Sequence, residues 1–335
     1  MKYINSFIYI TFIFVTPLLL CATALSAQST AAHAGALLTG GKSLSLYERI
    51  SAIEQRYSIQ IHFSEFPIDT GRFAISAAPR ETGAQKKLKT RHPYQNKDTT
   101  QVPNLVKPGE RKTRFAYLQV ADSIYRDSLL QIFSEEWEKY PPAFIRSIDI
   151  KNVYFVRNLQ VYGQTRYAMP DGASNDLYYN TDYVGIRKES YLRHSLHHEL
   201  YHLIEKQFFG DFYYVDATWA SFNPPLFSYS TGGADAYAKQ QFSKQVHPYK
   251  GFVSGYATSG LEEDKAEVFA YMMTGNQFLQ LLRWSQDDII LAQKMAYMMG
   301  FTRGICREMD MEYFLKIHEI KTKQVSQPLL PNDIY

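Results

Sequence analysis

The chain has 335 residues, with 36 Lys+Arg against 33 Asp+Glu, a formal charge of +3 and 45% apolar residues. A near-even charge balance in a chain this apolar excludes a disordered tail, a collagenous chain and a coiled-coil rod, and it offers no concentrated basic field for nucleic acid. What remains is one large domain, or one domain with a smaller companion, able to bury a substantial core.

The first residues follow the order of a secretory signal. Lys2 supplies a positive start, residues 7–20 are almost wholly apolar, and Cys21-Ala22-Thr23-Ala24-Leu25-Ser26-Ala27 turns small. An uncleaved anchor is the competing reading, but the apolar stretch is shorter than the roughly 20 residues a spanning helix needs. The expectation is therefore export, to the periplasm, the cell surface or the medium. Cys21 and Cys306 are the two cysteines, so cleavage leaves no internal disulfide framework. Cys21 could instead be the lipidated first residue of a lipoprotein, although Leu18-Leu19-Leu20 departs from the usual lipobox; membrane contact is expected only through such an anchor. Cys306 reads as a buried small apolar side chain.

A Ser/Ala/Thr/Gly-rich leader precedes a helix predicted over 43–57, where Leu44, Tyr47, Ile50 and Ile53 recur at three-residue steps. Residues 58–63 alternate in the manner of a strand. From Ala78 the composition shifts to Lys, Arg, Thr, Asn, Gln, Pro and Gly, including Lys86-Lys87-Leu88-Lys89, which reads as a solvated basic linker. An amphipathic helix is predicted over 115–140, stopped by Pro141-Pro142, followed by strands over 147–156, 160–167 and 176–180. A strongly apolar helix is predicted over 190–209 with Gly210 ending it, and helices dominate from Gly233 onward. A few strands followed by mostly helices predict an α+β fold.

The stretch that carries chemistry is Leu196-His197-His198-Glu199-Leu200-Tyr201-His202, an HExxH motif inside the 190–209 helix. Residues four apart lie one above the other on a helix, so two imidazoles can converge on one cation. Zn²⁺ suits nitrogen ligands, and a catalytic site takes three protein ligands and an open position. Glu199, one step round, is placed to reach an attacking water as general base. Leu196, Leu200, Leu203, Ile204 and Phe208 make most of this helix apolar, and a buried face bearing two histidines and a glutamate needs partners for all three. A metal-free pair of satisfied core histidines is the competing reading. His197 is rotated about 100° from His198 and should point away, into packing or toward the surface; His194 also flanks the motif.

A third ligand is available in Tyr256-Ala257-Thr258-Ser259-Gly260-Leu261-Glu262-Glu263-Asp264-Lys265-Ala266-Glu267. Ser259-x-x-Glu262 reads as a capping box, which assigns Glu262 to the backbone and frees Glu263. Glu263 and Glu267 then share a helical face, one able to bind metal while the other holds a ligand histidine through its second nitrogen. An ordinary acidic helix start is the bland reading of the same residues.

His198-Glu199-x-x-His202 followed by Glu263-x-x-x-Glu267 resembles the gluzincin metallopeptidases. The block from Tyr256 to Phe269 is more specifically similar to the catalytic domain of anthrax lethal factor and related exported bacterial peptidases. The resemblance covers roughly residues 176–273. It implies a zincin-like fold, with a small mixed sheet packed on the HExxH helix and a mostly helical C-terminal part. It also implies His198, His202 and Glu263 on Zn²⁺, Glu199 as base, Tyr256 as oxyanion donor and Glu267 behind a ligand histidine. Asp176–Asn180 corresponds to the edge strand against which zincins lay a peptide. Asp264-Lys265 departs from the family, standing where a bulky apolar pair is expected. About sixty residues separate His202 from Glu263, room for a loop carrying Trp219 and Asn223-Pro224-Pro225-Leu226-Phe227, either a substrate wall or lid, or a filler of an apolar gap.

The domain division expected from these readings is a signal peptide at 1–27, an N-terminal segment at 28–112 with the basic linker at 78–112, and a zincin-like metallopeptidase domain at 113–330. The expected function is exported zinc-dependent hydrolysis of a peptide or protein substrate. A non-catalytic surface or lipoprotein binding module on the same fold is the alternative, and hydrolysis of another carbonyl a third reading.

Overall fold

The computed structural model describes residues 44–63, 115–119, 123–161, 164–230, 232 and 249–320. The chain divides into two units, Met1–Leu44 and Ser45–Tyr335; of the first, Leu44 alone is among the described residues. The segments expected to be a signal peptide (1–27) and a basic linker (78–112) lie outside the described residues. Among the described residues no helix is long and apolar enough to cross a membrane.

Among the described residues, six strands form one mixed sheet: β1 (Gln60–His62), β2 (Phe115–Gln119), β3 (Asn152–Val161), β4 (Gln164–Thr165), β5 (Ala168–Asp171) and β6 (Asp176–Asn180). The first half of the long strand β3 lies between β1 and β6, both parallel to it, and its second half takes β2 and β4 antiparallel. β5 runs antiparallel along the far side of β6. The helices are α1 (Leu46–Tyr57), α2 (Ser123–Trp137), α3 (Pro142–Ile148), α4 (Glu189–Phe209), α5 (Ala217–Phe222), α6 (Leu261–Met273), α7 (Gly275–Asp287), α8 (Ile289–Ile305) and α9 (Met311–Ile317). The result is an α+β architecture, a small mixed sheet followed by many helices.

The structure departs from several expectations. The span 115–140 is a strand followed by a helix: its short apolar opening is ambiguous between the two periodicities, and pairing with β3 decides it. The span 147–156 is the end of α3 and then the start of β3, separated by Asp149 in the left-handed conformation (φ 60°). Asp176–Asn180 is an interior strand, hydrogen-bonded to β3 and β5 and buried throughout, so the outer strand beside it is β5.

The sheet fixes the position of α4. Val153, Phe155, Leu177 and Tyr179 turn toward the main core, where Phe133 of α2 meets Phe155 edge-on with centroids 5.2 Å apart. The Tyr179 hydroxyl donates to the Leu196 carbonyl at 3.2 Å, tying the middle of β6 to the middle of α4. α4 contains no Gly or Pro, carries Glu189 in its first turn and Lys206 in its last, and ends where Gly210 takes φ 84° and donates its N–H to Lys206 O. Packed across α4 is α6, buried along its whole length although it carries Glu262, Glu263, Asp264, Lys265 and Glu267. Buried charges on this scale require partners, and those partners define the site.

Candidate metal centre

α4 and α6 bring three donor atoms together. His198 Nε2 lies 3.0 Å from Glu263 Oε2, His202 Nε2 lies 3.5 Å from the same oxygen, and the two Nε2 atoms are 3.3 Å apart. A tetrahedral ion with bonds of about 2.0–2.1 Å sets its ligands about 3.3 Å apart. The triangle therefore matches one face of a zinc coordination sphere, and two imidazoles with a carboxylate are the donor chemistry zinc takes. The residues present fit the ion.

A second layer lies behind the first. Glu267 Oε1 is 2.9 Å from His198 Nδ1 and 2.8 Å from His194 Nε2, and Ser254 Oγ donates to Glu267 Oε2 at 2.6 Å. His194 Nδ1 in turn meets Gln277 Oε1 at 2.8 Å. His194, His198 and Glu267 form a second cluster that could hold an ion. Their shorter separations and the bonds from Ser254 and Gln277 instead describe a hydrogen-bonded support. A carboxylate in ion-pair contact with Nδ1 favours the His198 tautomer with its proton on Nδ1, which leaves the Nε2 lone pair facing the triangle.

The electrostatics suit a cation. Burial would depress the His198 imidazole, but hydrogen bonds and charge from Glu263 and Glu267 hold it well above its usual range. Burial would likewise raise Glu263 and Glu267, yet His198 and His202 hold the first, and His194 and His198 the second, well below the usual carboxylate range. The cluster stabilises positive charge at its centre, a proton in one circumstance and a metal in another.

Glu199 is half-buried beside the triangle, and desolvation pushes its carboxyl above the ordinary value against the opposing pull of His198 and His202. Tyr256 is half-buried with its ring centroid 5.7 Å from that of His198. It opens a 3₁₀ turn, Tyr256–Thr258, that Ser254 pins by accepting the Ala257 N–H at 3.1 Å while donating to Glu267. The structure thus brings His198, Glu199, His202, Tyr256, Glu263 and Glu267 into one neighbourhood.

The expected capping box is absent. Gly260 is the residue before α6, and Ser259 Oγ donates to Tyr256 O within the 3₁₀ turn. The helix starts one residue later than the box requires, so Glu263, rather than Glu262, occupies its third position. Trp219 proves a filler: it is fully buried and its Nε1 donates to Asp264 Oδ2 at 2.8 Å. His197 points away from the triangle into packing, donating from Nε2 to Glu136 Oε2 at 2.7 Å and accepting the Tyr140 hydroxyl at Nδ1 at 2.6 Å. Sequence reasoning assigned no role to His194, Ser254 or Gln277. His194 carries a signal, since it extends the 198/202 stripe by one more four-residue step; Ser254 and Gln277 carry none.

A family model described as "Putative zinc-binding metallo-peptidase" matches residues 93–284. No curated protein matches the chain. Among solved structures, a crystal structure described as a putative zinc-binding metallo-peptidase from Bacteroides caccae is similar at 16% identity, covering 88% of this chain and 99% of that one with a TM-score of 0.44. The family match spans more than half of the 335 residues, so the chain belongs to the family of putative zinc-binding metallo-peptidases.

Proposed function

We propose that the protein is an exported zinc-dependent endopeptidase of gluzincin type, similar in its site to the lethal-factor class. In this reading His198, His202 and Glu263 are the metal ligands, Glu199 the general base, Tyr256 the oxyanion donor and Glu267 the group that orients His198. The observation that carries the proposal is the donor triangle with edges of 3.0, 3.3 and 3.5 Å. The family description supports the same chemistry, and export rests on the order of residues 1–27.

His198, His202 and Glu263 would hold Zn²⁺, which when bound would supply Lewis acidity and lower the pKa of a water to about 7. The remaining work falls to the chain. Glu199, its carboxyl pushed upward by burial, is the base that accepts a proton from the attacking water and delivers it to the leaving amine. Tyr256 directs a hydroxyl at the tetrahedral oxyanion from a turn that Ser254 holds still. Glu267 keeps His198 in the tautomer whose Nε2 faces the triangle.

The test is elemental analysis of the purified protein followed by cleavage of a broad peptide library with and without chelator. Stoichiometric zinc and chelator-sensitive cleavage support the enzyme. Stoichiometric zinc with no peptide cleaved favours a binding module on a metallopeptidase fold.

A further inference from the structure

After Gly210 ends α4, the chain doubles back: Asp211 Oδ1 accepts the Tyr213 N–H at 3.0 Å, and between them Phe212 is placed against the end of the outer strand. The seat is the backbone of Gly172, in the turn from β5 to β6. A Cβ at Gly172 would lie 2.4 and 2.5 Å from Cζ and Cε2 of Phe212 and 2.8 Å from Cδ of Lys206, so the missing side chain is the space the ring occupies. The turn is braced, with Asp171 accepting from Ala173 N–H and Ser174 Oγ, while Lys206 donates its ammonium to Asn175 Oδ1 at 2.8 Å. That bond turns the lysine charge away and leaves its aliphatic stem beside the ring. The half-buried ring stands perpendicular to His202, with centroids 6.4 Å apart.

We infer that Phe212 is a specificity-determining wall, so that the preferred substrate is a peptide with a large apolar side chain at one of the two positions flanking the scissile bond. The inference rests on the peptidase reading above. Among the described residues β5 pairs with β6 alone, so a peptide can add to its outer edge as a further strand. A peptide laid there, with its reacting carbonyl at the donor triangle, passes the Gly172 end of β5. The side chain it turns toward His202 then meets the Phe212 ring beside the aliphatic stem of Lys206. Such a surface rewards apolar area and leaves an acidic or amide side chain without partners.

The experiment profiles library cleavage by the full mature zinc-loaded protein beside Phe212→Ala, Phe212→Leu and Gly172→Val, with zinc content and thermal unfolding measured on each. The same peptides are also titrated against zinc-loaded Glu199→Gln with and without Phe212→Ala, which reads binding without turnover. The inference expects the wild type to favour large apolar residues at one flanking position by about tenfold or more over Gly or Asp. Phe212→Ala and Gly172→Val should erase that preference at unchanged zinc content, and Phe212→Leu should retain much of it. A wild type that cleaves without apolar preference, or a Phe212→Ala profile identical to wild type, overturns the inference and leaves the peptidase reading standing. Absence of any cleavage by the zinc-loaded wild type overturns both. If Phe212→Ala does not fold, the Phe212→Leu and Gly172→Val profiles decide by the same criteria.

Discussion

Glu267 sits behind His198: its Oε1 lies 2.9 Å from the ring's Nδ1 while Nε2 of the same ring faces Glu263. A carboxylate in that place restrains the ring and strengthens its basicity, and losing such a partner costs about 10–100-fold in metal affinity. Glu267→Ala should weaken zinc binding by that factor, and Glu267→Gln by less, because its amide oxygen can still accept the Nδ1–H. Competition against a chromogenic chelator measures both. Unchanged affinity in the alanine variant would remove Glu267 from the metal's support.

Glu199 separates binding from turnover. It lies beside the donor triangle without belonging to it, and its raised carboxyl suits proton transfer. Glu199→Gln should bind zinc with wild-type stoichiometry and lose about 10²–10⁴-fold in kcat, the range of a general base. Peptide hydrolysis at wild-type rate by zinc-loaded Glu199→Gln is the result that rules out this mechanism.

The parts of the site legible in the sequence are those that local geometry determines. His198 and His202 are one helical turn apart, so their convergence follows from spacing alone, and Glu263 and Glu267 repeat that logic on a second helix. The start of α6 is ambiguous in the sequence because Ser259 has two local uses, as a cap or as a donor to Tyr256 O, and the 3₁₀ turn takes the second. Residues 115–119 read as helix because a short apolar run has no period of its own until β3 pairs with it. Ser254, Gln277 and Phe212 were out of reach for a different reason. Each meets its partner through the tertiary path, and neither a serine nor a phenylalanine announces which glutamate or glycine it will touch.

Acid should destabilise the protein through His197. Burial lowers this imidazole from its ordinary 6.5 to about 4, while its Nε2–H donates to Glu136. Burial would raise Glu136, but His197 and Lys139 hold it well below the usual carboxylate range. The unfolded chain therefore takes up a proton at His197 that the folded chain refuses. Stability attributable to His197 is complete above about pH 6.5 and is lost as pH falls toward about 4, an effect on the order of 3 kcal/mol. Glu136 adds a loss in the same direction below its ordinary carboxylate value. Urea unfolding midpoints between pH 7 and pH 4.5 should fall for wild type and fall less for His197→Gln, whose amide can still donate to Glu136. Equal slopes in the two proteins would show that His197 does not carry the effect.

Lys265 and Glu205 test what Asp264-Lys265 does where an apolar pair is expected. Both side chains are buried to 1% exposure or less and form an ion pair between α6 and α4. Lys265 also lies over the rings of Phe209 and Tyr214, at 5.9 and 5.4 Å, and donates to Tyr214 O at 3.4 Å, whereas Glu205 Oε2 has no hydrogen-bond partner among the described residues. Desolvation is the larger quantity here: burial alone brings the Lys265 amine down to about 7. Removing one partner strands the other charge, so Lys265→Met and Glu205→Leu should each cost about 3–5 kcal/mol. Replacing both removes the desolvation penalty together with the attraction, so the double variant should return to within about 1 kcal/mol of wild type or exceed it. Denaturant unfolding of the four proteins in the cycle measures the coupling. Because the pair touches neither His198, His202 nor Glu263, the double variant should keep full zinc stoichiometry. A double variant as unstable as the sum of the two singles would show that the side chains act independently, and the paired charges would then have no part in holding α6 against α4.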